Sequence, residues 1–239
     1  MSAIQRYISS ELIHFVGRQL PSPEEQYHLL IEVIKSGKLK SSPKNDIFKG
    51  SVIIQLPNPI SQGKAITLYG VCFCDIPIDD IDIHVNKYSG FGLSFLKTFL
   101  INKGANPVFY IARDGKLLRS EKNRGVFFED MLQAFFRLLV KDIMPTEKAK
   151  KALDEENRER IDLVIFMIQY IFGYFKFFDS NTPENDENNY YMEREWRTVG
   201  DLEFNLQNVN RILLPRKYAR QLREDIPDYS GQITFTDED

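Results

Sequence analysis

Short apolar runs of β type stand at both ends of this 239-residue chain, and the helical patterns lie mostly between them. That order constrains the fold more than any single motif. "ELIHFVGR" (11–18) reads as a strand. The first helix follows: Ser22 is placed to cap it, Pro23 suits its first position, and Glu24 and Glu25 face its positive end. Leu29, Leu30, Val33 and Ile34 recur at helical spacing, and Gly37 ends the pattern. Residues 41–64 are rich in Ser, Pro, Asn and Gly around a possible strand, "SVIIQL". "AITLYGVCFCDIP" (65–77) reads as a strand stopped by Pro77, and "IDDIDIHVNKY" as a short helical or turn element. "SGFGLSFL" (89–96) is a glycine-punctuated strand that runs into the helix "KTFLINKG", and "NPVFYIA" (106–112) is another strand. Helical patterns near 125–142 and 146–178 are separated by Pro145. "YYMEREWRTV", "RILLP" (211–215), a short helix through Arg223 and "QITFT" (232–236) close the chain. Strands, then helices, then strands predict a single α+β domain over 1–239: a mixed sheet with a helical insertion at about 120–180.

Composition narrows the function classes. Hydrophobic residues make up 43% of the chain, enough for a sizeable core. A net charge of −3 argues against DNA binding through a broad basic face, which leaves nucleic acid only as a target of action. The start "MSAIQRYISS" lacks an apolar leader core, and the two cysteines are spaced as Cys72-Phe73-Cys74. The expectation is a reduced, cytoplasmic protein. "IDLVIFMIQYIFGYFKFF" (161–178) approaches membrane length, but Asp162, Gln169, Lys176 and Gly173 interrupt it. It reads as a buried or partner-facing helix rather than a span.

The densest charge cluster lies in "YYMEREWRTV" (190–199). Read as a strand from 190, it puts Glu193, Glu195 and Arg197 on one face and Met192, Arg194 and Trp196 on the other. The two carboxylates would then stand roughly 6.5–7 Å apart, with Arg197 relieving their repulsion. Two readings stay open. The charges brace a sheet face, or a carboxylate pair stabilises an oxocarbenium-like ribosyl cation and orients its acceptor.

"ELIHFVGR", "LIEVIKSGKLKSS", "CFCDIP", "HVNKYSGFGLSF", "NPVFYI" and "YMEREWR" occur in an order that resembles the AbiGi-type abortive-infection family of bacterial phage-resistance loci. The resemblance spans roughly residues 8–200. The layout is also distantly similar to proteins with an ADP-ribosyltransferase-like core, including DNA-modifying toxins. That resemblance implies NAD as substrate, with ADP-ribose transferred to a macromolecular target or NAD hydrolysed. His14 would contact the adenosine-side ribose, Tyr88, Ser89 and Phe91 would surround the nicotinamide, and Glu195 would be the catalytic glutamate. Glu193 would position the acceptor, and Arg197 would lie in the same cofactor site. Proteins of the first family are also described as antitoxins, which implies the alternative of a non-catalytic binding subunit with a partner toxin.

Other candidates are weaker. His84 in "DDIDIHVNKY" sits beside acids that would raise its pKa, and His28 falls inside the first helix as a structural residue. No zinc spacing joins the histidines to Cys72 and Cys74, so no metal site is expected. "GFG" (90–92) is neither a Walker loop nor a Rossmann fingerprint. The acidic and amide loop "DSNTPENDENN" (179–189) reads as solvated, with a lid over the acids as the alternative.

Overall fold

The computed structural model describes residues 9–41, 52–54, 66–118, 130, 134–135, 138, 155–184, 186 and 188–237. The chain divides into two compact units. The first comprises Met1–Ser42, Gly70–Pro107 and Pro183–Asp239, and the second Pro43–Tyr69 and Val108–Thr182. The stretch 120–180 falls in the second unit, together with 43–69 and 108–119, which precede it.

The first unit is built on a seven-stranded mixed sheet. Its strands are β1 (Glu11–Phe15), β5 (Gly70–Cys74), β6 (Gly92–Leu96), β7 (Asn106–Pro107), β10 (Glu195–Val199), β12 (Val209–Leu214) and β13 (Gln232–Phe235). Their spatial order is β13-β12-β6-β1-β5-β10-β7. Every neighbouring pair is antiparallel except β12 and β13. The helix α1 (Pro23–Ser36) forms as its sequence predicts. Ser22 is extended and its Oγ accepts the Glu25 amide, and Gly37 closes the helix at φ 61°. Only glycine fits there, because a Cβ would stand 2.5 Å from the Phe204 carbonyl oxygen. A two-residue ladder between β2 (Lys38–Leu39) and β11 (Leu202–Glu203) follows at once.

Alternation along the strands gives the sheet two apolar faces. One carries Leu12, Phe73, Leu93, Phe95, Ile212 and Leu214 under α1 and α5 (Ala219–Asp225). The other carries Ile13, Cys74 and Leu213 under α2 (Asp82–Lys87), with Phe15, Val85 and Tyr88 packed beside them. Burying both faces explains why the strands read as apolar runs rather than as clean alternation. A buried carboxylate is satisfied within this sheet. Glu11 on β1 accepts from Ser94 on β6 and from Asn210 (2.8 Å) and Arg211 (3.1 Å) on β12. Burial pushes its pKa up, but these donors outweigh it and hold the carboxyl below the usual range.

The second unit contains the antiparallel pair β3 (Val52–Ile54) and β4 (Ile66–Leu68), the parallel pair β8 (Phe109–Ala112) and β9 (Phe175–Phe178), and α4 (Glu155–Phe166). After α4 the chain does not remain helical to 178. It passes through a π-helical turn (Met167–Ile171) and a 3₁₀ turn into β9, where "FKFF" pairs with "FYIA". Ile111, Leu118, Ile168, Phe172, Tyr174 and Phe177 are buried in this unit. The aromatic and β-type residues of the run win a strand partner that helical periodicity does not foresee. Among the described residues no helix is long and apolar enough to cross a membrane. The expected helix near 125–142 lies largely outside the described residues. The runs 65–77 and 106–112 are each split: β4 pairs with β3 and β8 with β9 in the second unit, while β5 and β7 join the seven-stranded sheet.

Candidate functional site

The cluster at 190–199 does not begin as a strand. Residues Tyr190–Glu193 form a 3₁₀ turn, Arg194 adopts a left-handed conformation (φ 41°), and β10 starts at Glu195. Arg194 is the one non-glycine residue at positive φ among the described residues. Its Nε donates to the Asp75 carbonyl (2.7 Å), which holds the turn against the end of β5.

Both glutamates are 3% exposed and both carry internal cations. Lys87 Nζ lies 2.6 Å from Glu193 Oε1, with the two side chains 4% exposed each. Tyr88 donates its hydroxyl to the same carboxylate oxygen. Burial first, and then the Glu193 charge, raise the Tyr88 pKa far above a normal phenol. Arg197 donates its Nε to Glu195 on the same strand face. Beyond β5, Lys97 Nζ pairs with Asp75 Oδ2 at 2.8 Å and lies over the Trp196 ring. Of the two readings of this cluster, the geometry matches the first: the charges brace the sheet. Lys87 and Lys97 escape sequence reading because nothing local ties a lysine to an acid 106 positions away, or to one 22 positions away at the end of β5.

The other candidates are dispersed. Register sets Glu195, Cys74 and Ile13 side by side on one face. His14 therefore lies on the opposite face, in ring contact with Phe73 at 5.8 Å. Its Nδ1 donates to the Cys72 carbonyl at 2.7 Å. Burial lowers its pKa, and that hydrogen bond restores part of the loss. The expectation that His14 and the acids converge on one cavity is overturned by this alternation. Phe91 is 1% exposed, packed edgewise against the stacked rings of Tyr27 and Tyr218. Ser89 donates to the Val16 carbonyl and accepts the Phe91 amide at 3.1 Å, which fastens the turn before β6. Of the expected set, Tyr88 and Glu193 come together, Glu195 with Arg197 lies on the same face, and the rest do not join them.

His84 differs from its sequence expectation. Burial, the largest effect, drives its pKa down to about 4, against an opposing pull from Glu193. The ring clusters with those of Phe15 and Tyr88, at 6.4 Å from each, and its Nδ1 has no hydrogen-bond partner among the described residues. It lines a cleft of about 500 Å³ between residues 76–84 and 184–194. None of the seven residues expected to act on NAD lines that cleft. The acidic loop beside it is turned by its own side chains. Asp186 Oδ1 accepts the Asn188 amide (2.7 Å), and Asn189 bridges the Pro183 carbonyl and the Tyr191 amide. Among the described residues no group of three His, Cys, Asp or Glu side chains is arranged to hold a metal.

Residues 62–225 match the family described as "Putative abortive phage resistance protein AbiGi, antitoxin". The chain belongs to the AbiGi family. The matched range runs from β4 through α5 and takes in the cleft and the braced acids of this AbiGi protein. No curated protein and no solved structure matches it. The mixed α+β sheet of the AbiGi chain therefore stands on its own topology, and an ADP-ribosyltransferase-like core has no structural neighbour behind it.

Proposed function

We propose that this AbiGi chain is the binding, non-catalytic member of an abortive-infection defence pair, an antitoxin that acts by engaging a partner toxin. The family description carries this reading. The site geometry supports it: Glu193 and Glu195 are buried and already neutralised by Lys87 and Arg197, so neither presents a carboxylate to an incoming sugar. Transfer of ADP-ribose from NAD would require at least one of these acids to face a ribosyl cation across an open cleft. Expression of the partner toxin alone should arrest growth, and co-expression of the AbiGi chain should restore it. The E195Q variant, verified as folded by circular dichroism, should restore growth equally well. Purified protein incubated with NAD should release no nicotinamide. Nicotinamide release by the wild type, or loss of rescue in folded E195Q, would overturn the reading.

A further inference from the structure

The cleft between 76–84 and 184–194 has an apolar floor and an acidic rim. Ile76, Pro77, Ile83 and Met192 supply the floor, and Asp80 and Glu184 stand exposed at the edge. Asp79 and Asp82, also exposed, line an adjoining cleft of about 440 Å³ on the same turn. Among the described residues no basic side chain pairs with any of these four acids. One cation faces the first cleft, Arg194, so its lining of Asp80, Glu184 and Arg194 remains net negative. A second observation is independent of the acids. His84 is 3% exposed, lines the same cleft, and leaves its Nδ1 without a partner. At neutral pH its ring is uncharged, so one of its two nitrogens is an acceptor.

We infer that this cleft receives a basic side chain, with its flanking residues, from a segment of the partner protein. An arginine or lysine suits it in both parts: the aliphatic stem covers apolar surface while the cationic head meets carboxylates and donates hydrogen bonds. An acidic ligand would find one guanidinium, already tied through Nε to the Asp75 carbonyl, and two opposing charges. A basic segment would also complement the net charge of −3. The identity of the partner as a toxin rests on the antitoxin reading; the chemistry of the cleft does not.

The test is fluorescence anisotropy of the full chain with a labelled peptide alternating arginine and leucine, beside an equivalent glutamate–leucine peptide and free spermidine. The basic peptide should bind saturably and weaken as salt rises. Asp80→Asn and Glu184→Gln should each weaken it roughly two- to fivefold, the range expected of exposed ion pairs. His84→Phe, which keeps the stack on Phe15 and Tyr88 but removes the acceptor, should weaken it too. Asp228→Asn, an exposed acid remote in sequence from the cleft-lining residues, should change nothing. Tighter binding of the acidic peptide, equal binding of spermidine, or unchanged affinity in D80N and E184Q would each overturn the inference. Growth rescue with no peptide binding refutes the cleft alone. Peptide binding with no rescue refutes the antitoxin reading alone.

Discussion

Replacing Lys87 by methionine removes the cation that faces Glu193 while keeping a chain of similar volume. Both side chains are 4% exposed and their charged atoms are 2.6 Å apart. Removing one partner of such a pair leaves a charge out of water, which costs about 3–5 kcal/mol. The Tyr88 hydroxyl still reaches the carboxylate, so the lower end of that range is expected. An exposed pair behaves differently. Arg220 and Glu224 are 92% and 65% exposed at 3.0 Å, and R220A should cost less than about 0.5 kcal/mol. The assay is urea unfolding followed by tryptophan fluorescence. The chain has one tryptophan, and Trp196 lies in β10, so the signal reports the seven-stranded unit. With a slope near 2 kcal/mol/M, K87M should lower the midpoint by roughly 1.5–2 M at unchanged slope. The double variant K87M/E193Q should recover much of that loss, since no unpaired carboxylate remains. A K87M midpoint within about 0.3 M of wild type would refute the view that this ion pair holds the 190–194 turn to α2.

Stability should fall as pH drops from 6.5 toward 4. The His84 pKa moves from 6.5 to about 4 on folding, so the unfolded chain binds more protons in that window. The contribution is full above 6.5, is lost progressively toward 4, and amounts to about 3 kcal/mol. His14 is shifted in the same direction, so wild type and H84F are compared by urea unfolding at pH 7, 5.5 and 4.5; H84F should show the shallower slope. S22A should cost about 1 kcal/mol by removing the acceptor for the Glu25 amide, seen as a lower urea midpoint. G37A should cost about 1–3 kcal/mol in the same assay, because its φ of 61° and the Phe204 carbonyl both oppose a side chain.

The local elements were legible where one short stretch holds all the information. Ser22, Pro23 and Gly37 bound α1 because capping and left-handed termination are chemistry of adjacent residues. "GLSFL" followed by "KTFLIN" reads as strand then helix, and β6 and α3 (Lys97–Asn102) bear that out. The candidate site was legible only in part. Alternation from Glu195 does set Glu195 and Arg197 on one face, but Glu193 reaches Lys87 and Tyr88 from a 3₁₀ turn that no strand reading foresees, and His14 faces the other way, since the face of a strand follows from register with neighbours far along the chain. The acids beside His84 in sequence point its pKa upward, and the folded protein moves it down. Nearby acids are visible in sequence, whereas burial, which dominates, is a property of the packed molecule.

What the sequence determined by itself, then, is the α+β class, the caps of α1, and the concentration of charge at 190–199. Tertiary structure alone decided what that charge does. Lys87 meets Glu193 across 106 positions, and Lys97 meets Asp75 across 22. An ion's energy depends on who stands beside it and how much water is excluded, and neither quantity is written in the neighbouring letters.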